Sequence, residues 1–521
     1  MLVGGSARAY AEIRLKLSAQ GVFARGGRPP RKPAPRQAVR RLHNPRVIML
    51  VAFAATSIIN YAFSLAAGWL LLPGDFGLLA FAQTLLLIGG LALNSGVPWF
   101  LTRALLGLPV DQRGAVVRGG LVANTGLASV GAVLLMALYL LGPLRSGLEN
   151  AQVATLVVAA FVPMGLLAVA RSAAQGLEHF AVVATLTVAE IATKAASGVG
   201  LVMLGRGAAG AIAGFAVGAT LGAVLGLAYL WYFLAIGPRG PITFPALRAT
   251  LPLFGALLGM ALILNLDLLA MKLLVGDERL LTGYYQAGNV LANIPYYLVT
   301  AALLPILFTQ LARDRSLARG AARLGETVAL TVLLILPLEF VLIVAPERAL
   351  GTLFPAAYAP GATSLRLLAL GNALLIFVAL LSTAFQAVGR ADIPSRLLLL
   401  IALIEPVALV AVVPRWHGLG AATIFVVAAA TALLGLGAAI VYEIGHVALL
   451  TARDWLARYA GVLATSSAAG IAARALGQTP ERALLIAAPI YVLMLVVFRL
   501  MPGLSRRIGG RYLEATVAGE D

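Results

Sequence analysis

Several charged side chains sit inside long apolar runs of this chain, and each is costly enough there to demand a reason. Lys194 lies within AEIATKAASG, Asp267 and Lys272 share ALILNLDLLAMKLLVG, Glu339 falls in LLILPLEFVLIV, Glu405 in LIALIEPVALV, and Arg366 opens LRLLALG. A charge at the centre of a bilayer costs about 2.5–3.5 kcal/mol on insertion scales. Each must therefore be neutralised by a neighbour or kept for a ligand: a buried cation can hold an anion, and a buried carboxylate can bind a cation or exchange a proton. A second set is neutral. GYYQAGNVLANIPYYL spaces Tyr285, Asn289, Asn293 and Tyr296 along one helix face, with Tyr284, Gln286 and Tyr297 beside them. Asn60 and Tyr61 add an amide and a ring from an earlier run. Rings that stack and amides that hydrogen-bond suit a sugar, although the tyrosines alone would equally serve as an interfacial belt.

The elements that carry these residues are membrane helices. Of 521 residues, 61% are hydrophobic and only 12% charged, against about 45–50% and about 25% in soluble domains. Cut at a span length of about 20 residues, the chain gives fourteen apolar runs, starting near 47, 76, 115, 151, 181, 207, 250, 283, 324, 362, 395, 418, 455 and 481. The fold class expected is an all-α polytopic membrane protein of about fourteen transmembrane helices. The connections are short, and the longest, PERALGTLFPAAYAPG, is only a loop. No segment could house a soluble catalytic head, which argues against an enzyme such as a glycosyltransferase, polymerase or ligase. With no Cys and four scattered His, disulfides and thiolate metal sites are excluded.

Charge placement orients the helices. Residues 1–46 hold eleven Lys/Arg against one acid, Glu12, and their middle, GGRPPRKPAPRQ, has little to bury. Such a tail should be disordered and lie on anionic lipid as a cytoplasmic anchor rather than bind nucleic acid. With the N-terminus inside, 29 of the 39 Lys/Arg face the cytoplasm and seven the opposite side, which places both termini inside.

The runs also repeat. GLLAFAQTLLLIGGLALNSGVPWFLTRAL from Gly77 resembles GYYQAGNVLANIPYYLVTAALLPILFTQL from Gly283, an offset of 206; SAAQGLEHF and TAFQAVGRA, aligned on Gln175 and Gln386, are 211 apart. Six spans separate the members of each pair, so the halves insert in the same orientation and enclose a central cleft, the usual architecture of alternating access. The expected organisation is a basic tail (1–46), an N-lobe of spans 1–6 (47–236), a C-lobe of spans 7–12 (246–449), spans 13–14 (455–502) and a cytoplasmic tail (503–521).

LLPGDFGLLAFAQTLLLIGGLALNSG (71–96), VGDERLLTGYYQAGNVLANIPYYL (275–298), TLFPAAYAPGATSLRLLALG (352–371) and AFQAVGRADIPSR (384–396), in order and spacing across 47–500, resemble the polysaccharide-transporter, O-antigen flippase-like branch of the multidrug/oligosaccharidyl-lipid/polysaccharide exporter superfamily. The resemblance implies paired helical bundles that carry a polyprenyl-pyrophosphate-linked oligosaccharide, an O-antigen, capsule or exopolysaccharide unit, from the inner to the outer leaflet of a bacterial inner membrane. A lipid II flippase and a cation-coupled multidrug exporter of the same superfamily are the alternatives. Membrane lipids and other polysaccharide-assembly membrane proteins are the expected partners. No bound cofactor is expected, and a proton or sodium gradient would drive the cycle. The basic extension is longer than the family pattern requires, and the membrane half is poor in phosphate-binding cations.

On that reading Lys194 engages the pyrophosphate, unless Glu190 four residues earlier neutralises it. Arg366 is a second candidate cation or an interfacial anchor. Asp267 faces the cleft and binds a cation or sugar hydroxyl, or else pairs with a neighbouring span. It lies about 140° around the helix from Lys272, which is expected to snorkel outward. Asn60, Tyr285, Asn289, Asn293 and Tyr296 hold sugar, and Asp267, Glu339 and Glu405 are candidates for ion coupling, Glu405 standing before Pro406 where a helix can break.

Overall fold

The computed structural model describes residues 45–149, 151–234, 247–275, 278–314, 317–444, 446–476 and 479–497. Residues Met49–Asp521 make one compact unit; of the other, Met1–Ile48, only the stretch from Pro45 is described. The basic tail before Pro45 and the segment 503–521 lie outside the described residues.

Among the described residues every element is a helix, as expected where lipid offers no partner to a backbone amide. In order they are α1 (Pro45–Leu70), α2 (Pro73–Ser95), α3 (Val97–Gly107), α4 (Val110–Leu140), a single turn at Arg145–Leu148, α5 (Ala151–Gly176), α6 (Phe180–Leu201), α7 (Gly207–Leu234), α8 (Leu247–Ile263), α9 (Leu266–Leu274), α10 (Arg279–Ala302), α11 (Leu304–Asp314), α12 (Leu317–Val344), α13 (Pro346–Leu353), α14 (Ala362–Ala387), α15 (Asp392–Ile444), α16 (His446–Ala475) and α17 (Pro480–Val497). Prolines open α2, α13 and α17, where the missing N–H costs no hydrogen bond.

The chain is a multi-pass membrane protein. Among the described residues, eight helices are long and apolar enough to cross a bilayer, or ten if each of two bent pairs counts as one span. That measure does not reach the fourteen spans expected from the sequence. Two of the eight run for 52 residues, over twice the need of a bilayer, and each turns back at a positive-φ residue. The first breaks at Gly205 (φ +80°), and α6 then packs along α7; the second breaks at His417 (φ +46°) inside α15, whose two arms meet where Gly435 faces the Leu397 side chain.

Several elements of the two halves correspond, although α1 is unbroken where the second half has α8 and α9. The α2/α3 break at Gly96 recurs between α10 and α11 at Leu303; α5 and α14 have the same length; the breaks at Gly205 and His417 fall 212 residues apart. Equivalent glycines meet at the centre: a Cβ on Gly77 would lie 2.8 Å from the backbone nitrogen of Gly283. The axis relating the lobes therefore passes near this contact, and only glycine permits so close an approach of α2 and α10.

Around that contact the lobes are closed at one end. Tyr358 donates to the Leu71 carbonyl at 3.0 Å and the Trp69 indole to the Leu353 carbonyl at 2.8 Å. The rings of Phe76, Phe354 and Tyr358 pack with centroids 5.5–5.9 Å apart, and Gly68 leaves the space that Phe354 fills.

Candidate functional site

In the first lobe, Lys194 is buried on α6. Its ammonium donates to Asn60 Oδ1 on α1 and lies 5.1 Å above the ring of Phe63 and 4.7 Å above that of Phe215. Cation–π contacts are worth about 2 kcal/mol or more when desolvated, so two faces and an amide replace much of the lost hydration. Glu190, the expected neutralising partner, forms its ion pair with Arg171 of α5 instead. Among the described residues no carboxylate pairs with Lys194. What holds it is backbone contact: glycines at 210, 214, 218, 222 and 226 recur every fourth residue along α7. A Cβ at Gly218 would stand 2.6 Å from the Glu190 carbonyl oxygen and 2.9 Å from the Lys194 nitrogen.

Beside Asn60, Tyr61 reaches across the lobe boundary and donates to the Val290 carbonyl of α10 at 3.4 Å. α10 also carries the amides. There Asn293 donates to Asn289 at 3.0 Å, leaving Asn293 Oδ1 and the nearby Gln286 Oε1 buried without a partner. Tyr296 is buried two turns beyond Asn289, edge-on to Tyr297 at 5.5 Å. Buried acceptors without donors are where a hydroxylated ligand or water gains most.

The second lobe holds the acids. Asp267 begins α9 just past a 46° bend at Asn265. It is 1% exposed, accepting from the Tyr285 hydroxyl at 2.5 Å and the Leu268 amide at 2.7 Å. Glu405 on α15 is close enough for its charge to act on both Asp267 and Tyr285, yet neither of its oxygens has a hydrogen-bond partner. Tyr285 therefore serves the interior of this lobe, a turn away from the Asn289–Asn293 pair.

The remaining candidates lie apart. Arg366 donates to the Ile343 carbonyl at 2.8 Å and stands 4.0 Å from Glu347, tying α14 to the end of α12 and to α13. Glu339 is fully buried on α12 with both oxygens unpartnered. Lys272 does not snorkel: its side chain is 3% exposed and paired across the lobe boundary with Glu149. Sequence reasoning missed Phe63, Phe215 and Glu149. Phe63 follows Asn60 by three residues and so shares its helix face, a legible signal; Phe215 and Glu149 come from distant elements and carry none.

The repeat relates the two clusters. Lys194 and Glu405 are 211 residues apart, the offset of Gln175 and Gln386, while their neighbours Asn60 and Asp267 are 207 apart. Equivalent places hold a cation in one lobe and carboxylates in the other. Among the described residues no group of three or more His, Asp or Glu is arranged to hold a metal ion.

Residues 69–362 match the sequence profile of a family described as polysaccharide biosynthesis protein. No curated protein matches the chain. Among solved structures it is similar to the lipid II flippase MurJ in an inward closed conformation, at 13% identity and TM-score 0.60 over 87% of this chain and 99% of that one. An inward-facing multidrug resistance transporter of the MATE family and MOP superfamily aligns at 12% and 0.57 over 74% and 95%. The MATE multidrug transporter DinF-BH aligns at 14% and 0.51 over 78% and 96%. At these identities the likeness is one of fold.

Proposed function

This chain belongs to the polysaccharide biosynthesis protein family, and on that footing we propose that it is a flippase for a polyprenyl-pyrophosphate-linked oligosaccharide, an O-antigen, capsule or exopolysaccharide unit. The cargo passes from the inner to the outer leaflet of a bacterial inner membrane by alternating access, with both termini cytoplasmic and the closed end of the lobes facing outward. The observation that carries this reading is Lys194: a buried cation, without a carboxylate partner among the described residues, in a chain whose α10 also buries amide oxygens without partners.

A polar head with a charged pyrophosphate must cross about 30 Å of hydrocarbon, while its polyprenyl tail stays in lipid. Lys194 and Asn60 meet the pyrophosphate; Asn289, Asn293 and Tyr296 meet the sugars. Asp267, held by Tyr285, and the nearby Glu405 take up the proton or sodium ion that couples the cycle, and Glu339 is held as a further coupling group. No step of this requires a covalent change in the cargo.

The acid cluster and the MATE-like fold also support a cation-coupled exporter, and the MurJ-like fold supports lipid II as cargo. Depleting the protein and extracting the inner membrane separates the three. Accumulation of a lipid-linked glycan with loss of surface polysaccharide is the expected result. Accumulation of lipid II, or a change in drug sensitivity with neither intermediate rising, would replace the proposal with the corresponding alternative.

A further inference from the structure

We propose that Asp75, Glu149, Lys272 and Arg279 form an electrostatic latch that holds the two lobes together at their closed end and must part before cargo can leave there. Glu149 is the centre of it. One carboxylate oxygen takes the Lys272 ammonium, and the other lies 3.2 Å from Arg279 Nη1. Asp75, at the start of α2, is near enough to interact with both Glu149 and Lys272.

The inference is carried by ion pairs that cross the lobe boundary. Asp75 and Glu149 belong to the first lobe, Lys272 and Arg279 to the second. Both ion pairs of Glu149 therefore cross the boundary, and both are lost when the lobes part. The surroundings fit the same role. Gly147 admits the Phe81 ring and lies against Leu273, wedging the Glu149 turn into the boundary. Glu149 itself has φ +59°, a conformation L side chains rarely adopt, and it is this backbone that presents the carboxylate to the other lobe.

The latch is also built to reopen. Removing two charges from water nearly cancels their attraction, so a buried pair holds weakly in net terms although losing one partner is costly. Parting the lobes returns all four groups to water together.

The proposal rests on the alternating access assumed above, but its test needs no cargo. The chain has no cysteine, so spin labels can be placed at Leu72 and Leu280 alone, exposed positions in the two lobes at this end, in the full chain in lipid nanodiscs. E149Q and K272M should each raise the long-distance, open population at least about tenfold, as for loss of a charge-assisted bond. The double variant should open no further than E149Q alone, since that change already removes the pair with Lys272. R279Q, at a side chain 64% exposed, should raise it about twofold. An unchanged distance distribution in folded E149Q and K272M overturns the latch. Should K272M fail to insert, E149Q and R279Q decide by the same criterion. Failure here leaves the glycan assignment standing, and failure of that assignment leaves the latch standing for another cargo.

Discussion

In the first lobe the buried charge is Lys194, solvated by an amide and two ring faces; at the equivalent place in the second lobe it is Glu405, near enough to Asp267 for their charges to interact. The frames around them differ too. Lobe one seats its cation by glycine contact, with Gly214 and Gly218 of α7 touching the α6 backbone. At the matching positions of α15 stand Phe425 and Ala429, and it is Gly371 on α14 that makes room, for the Phe425 ring. The two halves thus differ in both the sign of the buried charge and the helix that yields space. On the proposed function, an anionic headgroup and a coupling cation would be handled by opposite lobes.

The packing difference gives the largest expected effect. Gly218→Val must force α6 from α7 because the obstacle is backbone, and overpacking of this kind costs about 1–3 kcal/mol or more; protein recovered from membranes and its thermal midpoint should both fall. Ala429→Gly, at the equivalent point of lobe two, should cost about 1 kcal/mol. Equal losses from the two changes would dissolve the contrast. Lys194→Ala comes next. Surface glycan should drop about tenfold or more while membrane abundance holds, since the nest loses a charge but no backbone contact. Normal glycan output would make Lys194 a packing residue. Glu405→Gln keeps the shape of the acid cluster and removes its charge; transport should persist at a reduced rate and lose its response to an imposed proton or sodium gradient. A retained response would move coupling elsewhere, with Glu339 the next acid to replace.

How far these clusters are legible in the sequence varies by kind of information. Helix positions and the repeat come from hydropathy and spacing, which any single run displays, and Gly77 and Gly283, which open the two matching runs, are the pair that meets near the axis. The site is legible as a set of names rather than as contacts. Lys194 and Asn60 both stand out in their runs, yet nothing local says they touch. Spacing of four residues suggests Glu190 for Lys194, but Arg171, one helix away, takes that carboxylate. Lys272 reads as reaching for water for the same reason, while its partner Glu149 lies 123 residues away. Local periodicity reports which face a residue occupies; it cannot report which neighbour reaches that face first.

Arg366 offers the smallest and most discriminating effect. In the sequence it is a second candidate cation after Lys194 or an interfacial anchor, and its guanidinium is already committed to the Ile343 carbonyl and approaches Glu347, which also accepts from Arg474 at 3.1 Å. A partly exposed pair of this kind contributes about 0–1 kcal/mol, and Arg474 remains to hold Glu347 if Arg366 is lost. Arg366→Gln should therefore lower stability by well under about 1 kcal/mol and leave surface glycan within about twofold, an effect to be measured beside Lys194→Ala in the same strain. A loss as large as that of Lys194 would mean that cargo meets a cation in both lobes, and the separation of anion handling in one from cation handling in the other would no longer stand.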